Sequence, residues 1–372
     1  MAKSSYYITQ LAFGTGPGLL NPYLLLDTAC EETWVQCEGC NPCMNYEGKN
    51  FLYTASRSYR RMSINDRMCD PPLAYEGSCC LNITYIHEAR TVGFIGRDTF
   101  YFKNAKTGNI DVYKDLAFGC GLKNTDFNFG PNTWPNNLIA GIHGLAPGPR
   151  SFLWQLHSQI KGRFSYCLVS WTLQSPGTSH MYFGDDAQIH GDNVRIVQTI
   201  PMHAERRYHL YLNGISVDGA RLPIDMSTFE LDTTTYQRGF FIDSGSPYTY
   251  LAKSVFIIIK KAIIKYFEDR FGWKPMPQGQ IFDLCYSTYP NDPQSFPTMI
   301  FHFRQVGQGE VDWIMNKDNL FQILGKNEGF CFTMLDINDP GPNMFGAFQQ
   351  SNFNILYDVD NGLLSFVPEK CQ

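Results

Sequence analysis

The sequence predicts a mainly β chain with a few short helices, built as two related lobes. Three observations lead there. Tyr, Phe and Trp make up 15% of the 372 residues, beside 32 Gly and 21 Pro, a mix that favours strands and turns over helical bundles. Most apolar segments are short and are broken by Gly, Pro, Asn or Asp. One pattern also occurs twice: Leu24-Leu25-Leu26-Asp27-Thr28 returns as Phe240-Phe241-Ile242-Asp243-Ser244.

Each copy has a later apolar segment that ends in glycine at a similar interval, Ile142-His143-Gly144 in the first and Met344-Phe345-Gly346 in the second. Self-similarity of this kind marks an internal duplication. The length exceeds what one compact core usually serves, so the chain divides into an N-terminal lobe over 1–175 and a C-terminal lobe over 176–372. Two helices stand out. Ser151 is placed to cap one with Phe152, Leu153, Leu156 and Ile160 on a face. Ser254 is placed to cap a longer one, whose apolar face holds Val255, Ile258, Ile259, Ala262, Ile263, Tyr266 and Phe267. That spacing is core packing.

Several functions are excluded by composition. With 44% hydrophobic and 17% charged residues the chain buries a large core. A net charge of -5 offers no basic face for nucleic acid. No apolar run approaches the ~18–20 residues of a membrane-spanning helix. Twelve cysteines suit an oxidising compartment and disulfides. Cys37, Cys40 and Cys43 share a metal-type spacing, but no second ligand cluster follows, so they are read as disulfide cysteines and no metal is expected. Asn82-Ile83-Thr84 is a glycosylation acceptor triplet. The start, MAKSSYYITQ, is not a secretory signal, which points to a mature form, a form trimmed for expression or an incomplete gene.

The duplicated motif carries the chemistry. A symmetric pair of turns brings two carboxylates face to face. Two such groups about 3 Å apart share one proton, the coupling that aspartic proteases exemplify. The ionised member takes a proton from a trapped water while the protonated member polarises a carbonyl. The pair titrates as a unit, which gives an acidic working range. Asp27 and Asp243 are the candidates, and no cofactor is needed.

The ordered pieces resemble the pepsin superfamily of aspartic proteases, and within it the plant nepenthesin-like branch. They are Tyr7-Ile8-Thr9 with Gly14-Thr15, Thr33-Trp34-Val35-Gln36-Cys37, Phe118-Gly119-Cys120-Gly121, Phe164-Ser165-Tyr166-Cys167-Leu168, Asn213-Gly214-Ile215-Ser216-Val217, Ile242-Asp243-Ser244-Gly245-Ser246 and Gln349-Gln350-Ser351-Asn352-Phe353. The resemblance spans nearly the whole chain. It implies a bilobal, pepsin-like acid protease fold with a central cleft that holds a polypeptide substrate. It implies Asp27 and Asp243 as the catalytic pair, Thr28 and Ser244 as hydroxyls bracing the two loops, and Ser246 as support for its aspartate. It further implies a flap hairpin carrying Tyr85, held by Trp34. The family acts as a monomer in the secretory pathway, outside the cell or in the vacuole. The branch has a cysteine-rich insertion at Cys37–Cys43, and Cys285 with Cys331 is the expected pairing in the second lobe.

Departures from the family pattern cluster in the first lobe. Ala29 replaces a glycine, and Cys30 replaces a serine that hydrogen-bonds the catalytic carboxylate. Tyr85-Ile86-His87-Glu88-Ala89 stands where Tyr-Gly-Asp-Gly-Ser is usual, and His143 and Ala146 replace an apolar residue and a glycine. His87 and His143 are expected to be satisfied or exposed. Both aspartates survive, so the first expectation is an aspartic endopeptidase hydrolysing peptide bonds at acidic pH. The alternative is a weakened or inactive homologue acting as a protein-binding module or glycosidase inhibitor.

Overall fold

The protein is described by a computed structural model that covers residues 6–69, 74–85, 88–104, 107–129, 137–171, 178–191, 193–199, 207–235, 238–277, 282–288, 290, 292–325, 329–339 and 341–371. The chain is mainly β, as expected, and divides into two compact units, Met1–His157 and Ser158–Gln372. The division precedes the 175/176 boundary read from sequence. Its physical basis is the strand Arg163–Cys167, which lies between His180–Phe183 and Phe353–Asp358 in one antiparallel sheet and so belongs with the second unit.

The first unit is organised around a single large sheet. The buried strand Tyr23–Asp27 runs parallel to Ile139–Gly144, with His143 beside Leu26 and Gly144 beside Asp27. Trp34–Gln36 pairs on the far side of Ile139–Gly144 and also with Ile110–Thr125. A long hairpin, Arg90–Lys103 with Ile110–Thr125, extends the sheet, and Ser78–Thr84 pairs along Arg90–Lys103. The run Leu24-Leu25-Leu26 is apolar throughout because both faces of the strand are covered.

The second unit repeats this local plan. Phe240–Ile242 runs parallel to Asn343–Phe345, which is bordered by Thr249–Ala252. All three residues of Phe240–Ile242 are buried. The duplicated motif therefore corresponds to a duplicated structure, a buried strand followed at once by Asp.

Helices depart from the sequence reading in detail. The first breaks at Leu156 into Phe152–Gln155 and His157–Ile160, with Ser151 capping Leu153 as expected. The Gln155 side chain exchanges hydrogen bonds with the backbone of Ala117, at 2.6 and 3.0 Å, and this docks the first turn onto the long hairpin. The longer helix runs Lys253–Phe271, so Ser254 lies inside it. Its N–H is taken instead by Asp339 at 3.2 Å, a cap supplied from a distant part of the chain. Val255, Ile259, Ile263, Tyr266 and Phe267 are buried as the spacing predicts, and Phe256 joins them.

Five disulfides form among the described residues: Cys37–Cys120, Cys40–Cys43 and Cys69–Cys79 in the first unit, Cys167–Cys371 and Cys285–Cys331 in the second. The last is the expected pair, and its cysteines are opposite each other on adjacent strands. Cys30 and Cys80 remain free thiols. Asn82 is exposed, and its side-chain oxygen accepts from Arg90 at 3.0 Å.

Candidate active site

Each unit presents one aspartate at the end of its buried strand. Asp27 Oδ1 accepts the N–H of Ala29 at 2.8 Å, and Asp243 Oδ1 accepts the N–H of Gly245 at the same distance. A short polar side chain held this way turns the backbone back toward its own carboxylate. Thr28 and Ser244 follow their aspartates and are both fully buried.

The delayed glycines have a common reason. A Cβ at Gly144 would run into the backbone oxygens of Cys30 and Glu32. One at Gly346 would run into the backbone of Tyr248 and Thr249. Each glycine thus allows the supporting strand to press against the loop that carries the aspartate. In each unit the glycine N–H donates to a threonine hydroxyl, Gly144 to Thr33 at 3.2 Å and Gly346 to Thr249 at 3.1 Å. Thr33 and Thr249 were not singled out in the sequence, although each lies the same distance beyond its aspartate.

The two copies differ at the residue meant to support the carboxylate. Ser246 Oγ donates to Asp243 Oδ2 at 2.6 Å. Its counterpart Cys30 directs its thiol elsewhere, 3.4 Å from the carbonyl oxygen of Glu32 and 3.6 Å from Tyr85 Oη. Burial, with Asp27 and Glu32 close by, holds this thiol well above its ordinary range, so it stays protonated. Asp243 is also pushed upward by burial, opposed by the Ser246 hydroxyl, the Gly245 N–H and the nearby Arg207 guanidinium.

Tyr85 lies at the end of the Ser78–Thr84 strand, and its hydroxyl accepts from Trp34 Nε1 at 2.7 Å. Its ring stands edge-on to Phe127, and Trp34 packs on the same Phe127 ring. Sequence placed Tyr85 and Trp34 near one another, and the geometry brings them into direct contact. Ile86 and His87 lie outside the described residues. Glu88 has φ +66°, the left-handed region, at a position where the family usually has glycine.

Other features were missed by sequence. Arg150 ties the first loop down: its N–H donates to Glu31 at 2.7 Å, and its guanidinium forks onto Glu32. His143 was expected to be satisfied or exposed, and this is corrected. It is buried against Phe152, and neither ring nitrogen has a partner among the described residues. Burial pushes it down to about 4 from an ordinary 6.5. No cluster of three or more metal-ligating side chains occurs among the described residues.

Comparisons place this geometry. A family profile described as "Xylanase inhibitor N-terminal" matches residues 7–185, and one described as "Xylanase inhibitor C-terminal" matches 207–368. The Aspartyl protease AED1 of Arabidopsis thaliana is 30% identical over 99% of this chain and 72% of its own length. Aspartic proteinase nepenthesin-1 of Nepenthes gracilis is 28% identical over 100% of this chain and 79% of its own. Among solved structures, basic 7S globulin from soybean is 17% identical with a TM-score of 0.74, covering 98% of this chain and 93% of that one. The duplicated strand-and-aspartate units, the shared loop geometry and these matches together show that the chain belongs to the pepsin-like aspartic-protease superfamily.

Proposed function

We propose that this chain is a protein-binding member of its superfamily whose hydrolytic power is weakened at the first aspartate. Its partner class is a microbial glycoside hydrolase of the xylanase type. One observation carries the reading. The residue that should hydrogen-bond the first carboxylate is a buried thiol committed to Glu32 and Tyr85. A thiol is a poorer donor than a hydroxyl, and this one points away from the catalytic task. Both matched profiles being described as xylanase inhibitors supports the choice of partner. The disulfides support a site of action in the secretory pathway, outside the cell or in the vacuole.

A second reading is favoured by the second unit, where Asp243 keeps its Ser246 and Gly245 donors. In it the chain is a slow, monomeric aspartic endopeptidase of the nepenthesin-like branch. Asp27 and Asp243 share a proton and activate water on a polypeptide, with Thr28 and Ser244 bracing the loops. Tyr85, held by Trp34, closes over the substrate.

The experiment has two arms. Purified chain is titrated into microbial xylanases while xylan hydrolysis is followed, and is separately incubated with a peptide library at acidic pH with and without pepstatin. Saturable inhibition, with pepstatin-sensitive cleavage that is only slow, is the expected result. Pepstatin-sensitive cleavage without inhibition overturns the binding reading in favour of the protease.

A further inference from the structure

On a different sheet from the strand that leads into Asp243, the second unit carries a serine, a histidine and an aspartate joined in series. They lie on an antiparallel sheet in which Ala220–Arg221, Leu212–Val217, Met299–Arg304 and Glu310–Met315 are neighbours in that order. Gly214 is in register with His302, and His302 with Asp312. Side chains alternate along a strand, so Ser216, His302 and Asp312 share one face of the sheet. Ser216 Oγ is 2.7 Å from His302 Nε2, and His302 Nδ1 is 2.7 Å from Asp312 Oδ1.

The chemistry fixes the direction of this chain. An ionised carboxylate only accepts, so His302 Nδ1 carries the proton and donates to Asp312. Nε2 is then a free lone pair, and the Ser216 hydroxyl donates to it. That is the tautomer in which a histidine can take a serine's proton. Both distances fall in the range for a nucleophile, its base and the group that orients the base.

The surroundings add to the trio. Arg221 is directly opposite Ser216, on the side away from His302. Its guanidinium donates to Asn213 O at 2.7 Å and forks onto Glu310 at 2.9 and 3.0 Å. It lies over Gly214, where any side chain would displace it. The guanidinium therefore borders the trio at Gly214, the position in register with His302, with its charge matched by Glu310. Ile300, opposite Ser216, and Ile314, opposite Ile300 and 51% exposed, form an apolar ledge on the same face. Ser216 itself is buried, while the His302 and Asp312 side chains are 12% and 43% exposed. So little exposure at Ser216 disfavours bulky acyl groups.

We propose that Ser216, His302 and Asp312 form a second, serine-type acyl-transfer centre that takes small aryl or alkyl esters. Ser216 Oγ bonds to the ester carbonyl carbon as its proton passes to His302 Nε2. The carbon–oxygen bond of the ester breaks, and the alcohol leaves with the proton from His302. Water then attacks the acyl-serine, His302 again takes the proton and returns it to Ser216, and the acid is released. Asp312 is a positioning residue throughout.

The test uses the intact protein and a fluorophosphonate probe, whose phosphorus bonds to a reactive serine oxygen as fluoride leaves. Adducts are mapped by mass spectrometry in native protein and in protein unfolded in urea with disulfides intact. The expected result is a label on Ser216 in the native protein alone, insensitive to pepstatin, with p-nitrophenyl acetate hydrolysed above the solvent rate. His302→Ala should slow labelling by roughly a hundredfold or more, the usual share of a general base. Asp312→Asn, at a more exposed position, should slow it less while the fold is retained by circular dichroism. A native protein unlabelled at Ser216, or labelled equally when unfolded, overturns the proposal without reference to any variant.

Discussion

His143 is predicted to make the first unit acid-labile, and replacing it with leucine should remove much of that lability. The imidazole is buried in the strand Ile139–Gly144, one residue before the glycine that supports the Asp27 loop. Its pKa is about 4 in the folded chain against an ordinary 6.5. The folded value is the lower one, so the folded state prefers the neutral ring. The stability this ring permits is fully present above pH 6.5 and is lost as pH falls toward 4. A shift of this size corresponds to about 3 kcal/mol at pH 4, at 1.36 kcal/mol per unit. A domain's whole stability is about 5–15 kcal/mol, so the loss is large. Leucine fills a similar space without a titrating group or two buried unpaired nitrogens. The assay is urea unfolding of wild type and His143→Leu at pH 7, 5.5 and 4, followed by tryptophan fluorescence. The gap between the proteins should widen in favour of the variant by about 3 kcal/mol from pH 7 to pH 4. A gap independent of pH would show that the ring is not held neutral by burial, and the reasoning would fail.

Three further predictions concern the candidate site and its frame. The Ala29→Gly, Cys30→Ser double variant should cleave peptides at acidic pH faster than wild type by roughly 10–150-fold, the worth of one hydrogen bond to a charged group; equal rates would separate residue 30 from catalysis. Glu88→Gly should relieve the left-handed backbone at φ +66° and raise stability by up to about 1 kcal/mol in urea unfolding, net of glycine's entropy; a destabilised variant would show that the Glu88 side chain matters more than its backbone. Replacing Cys285 and Cys331 by alanine opens a loop of sequence separation 46 and should cost about 4 kcal/mol by chain entropy, measured by thermal unfolding against wild type.

What could be read in advance was whatever rests on burial and local chemistry. The runs before Asp27 and Asp243 are buried strands because a continuous apolar stretch has nowhere else to go. The two glycines were legible as positions, and the structure supplies their reason, the meeting of backbones. The contact of Tyr85 with Trp34 followed from family register, and Cys285–Cys331 from the two cysteines falling in the same lobe. What could not be read depends on register between distant strands or on a neighbour's position. Asp339 capping the long helix is one case, and Gln155 docking on Ala117 is another. The direction of the Cys30 thiol is a third, since sequence shows the substitution but not the competing acceptor at Glu32. Ser216, His302 and Asp312 are far apart in the chain, and only strand alignment brings them together. His143 misled because nothing in its local sequence shows that Phe152 covers it.

The bridge between Cys167 and Cys371 has a mechanical consequence. It joins a strand near the start of the second unit to the last part of the chain, with a sequence separation of 204. A pull applied between Arg163 and Cys371 is therefore carried by sulfur and by a few residues of backbone. Everything between Cys167 and Cys371 lies in a closed ring that the load bypasses. At ~3.4 Å per residue the ring hides roughly 700 Å of contour length. Single-molecule stretching between these points should reach its limit almost at once in the oxidised protein, and release that hidden length only after a reductant opens the bridge.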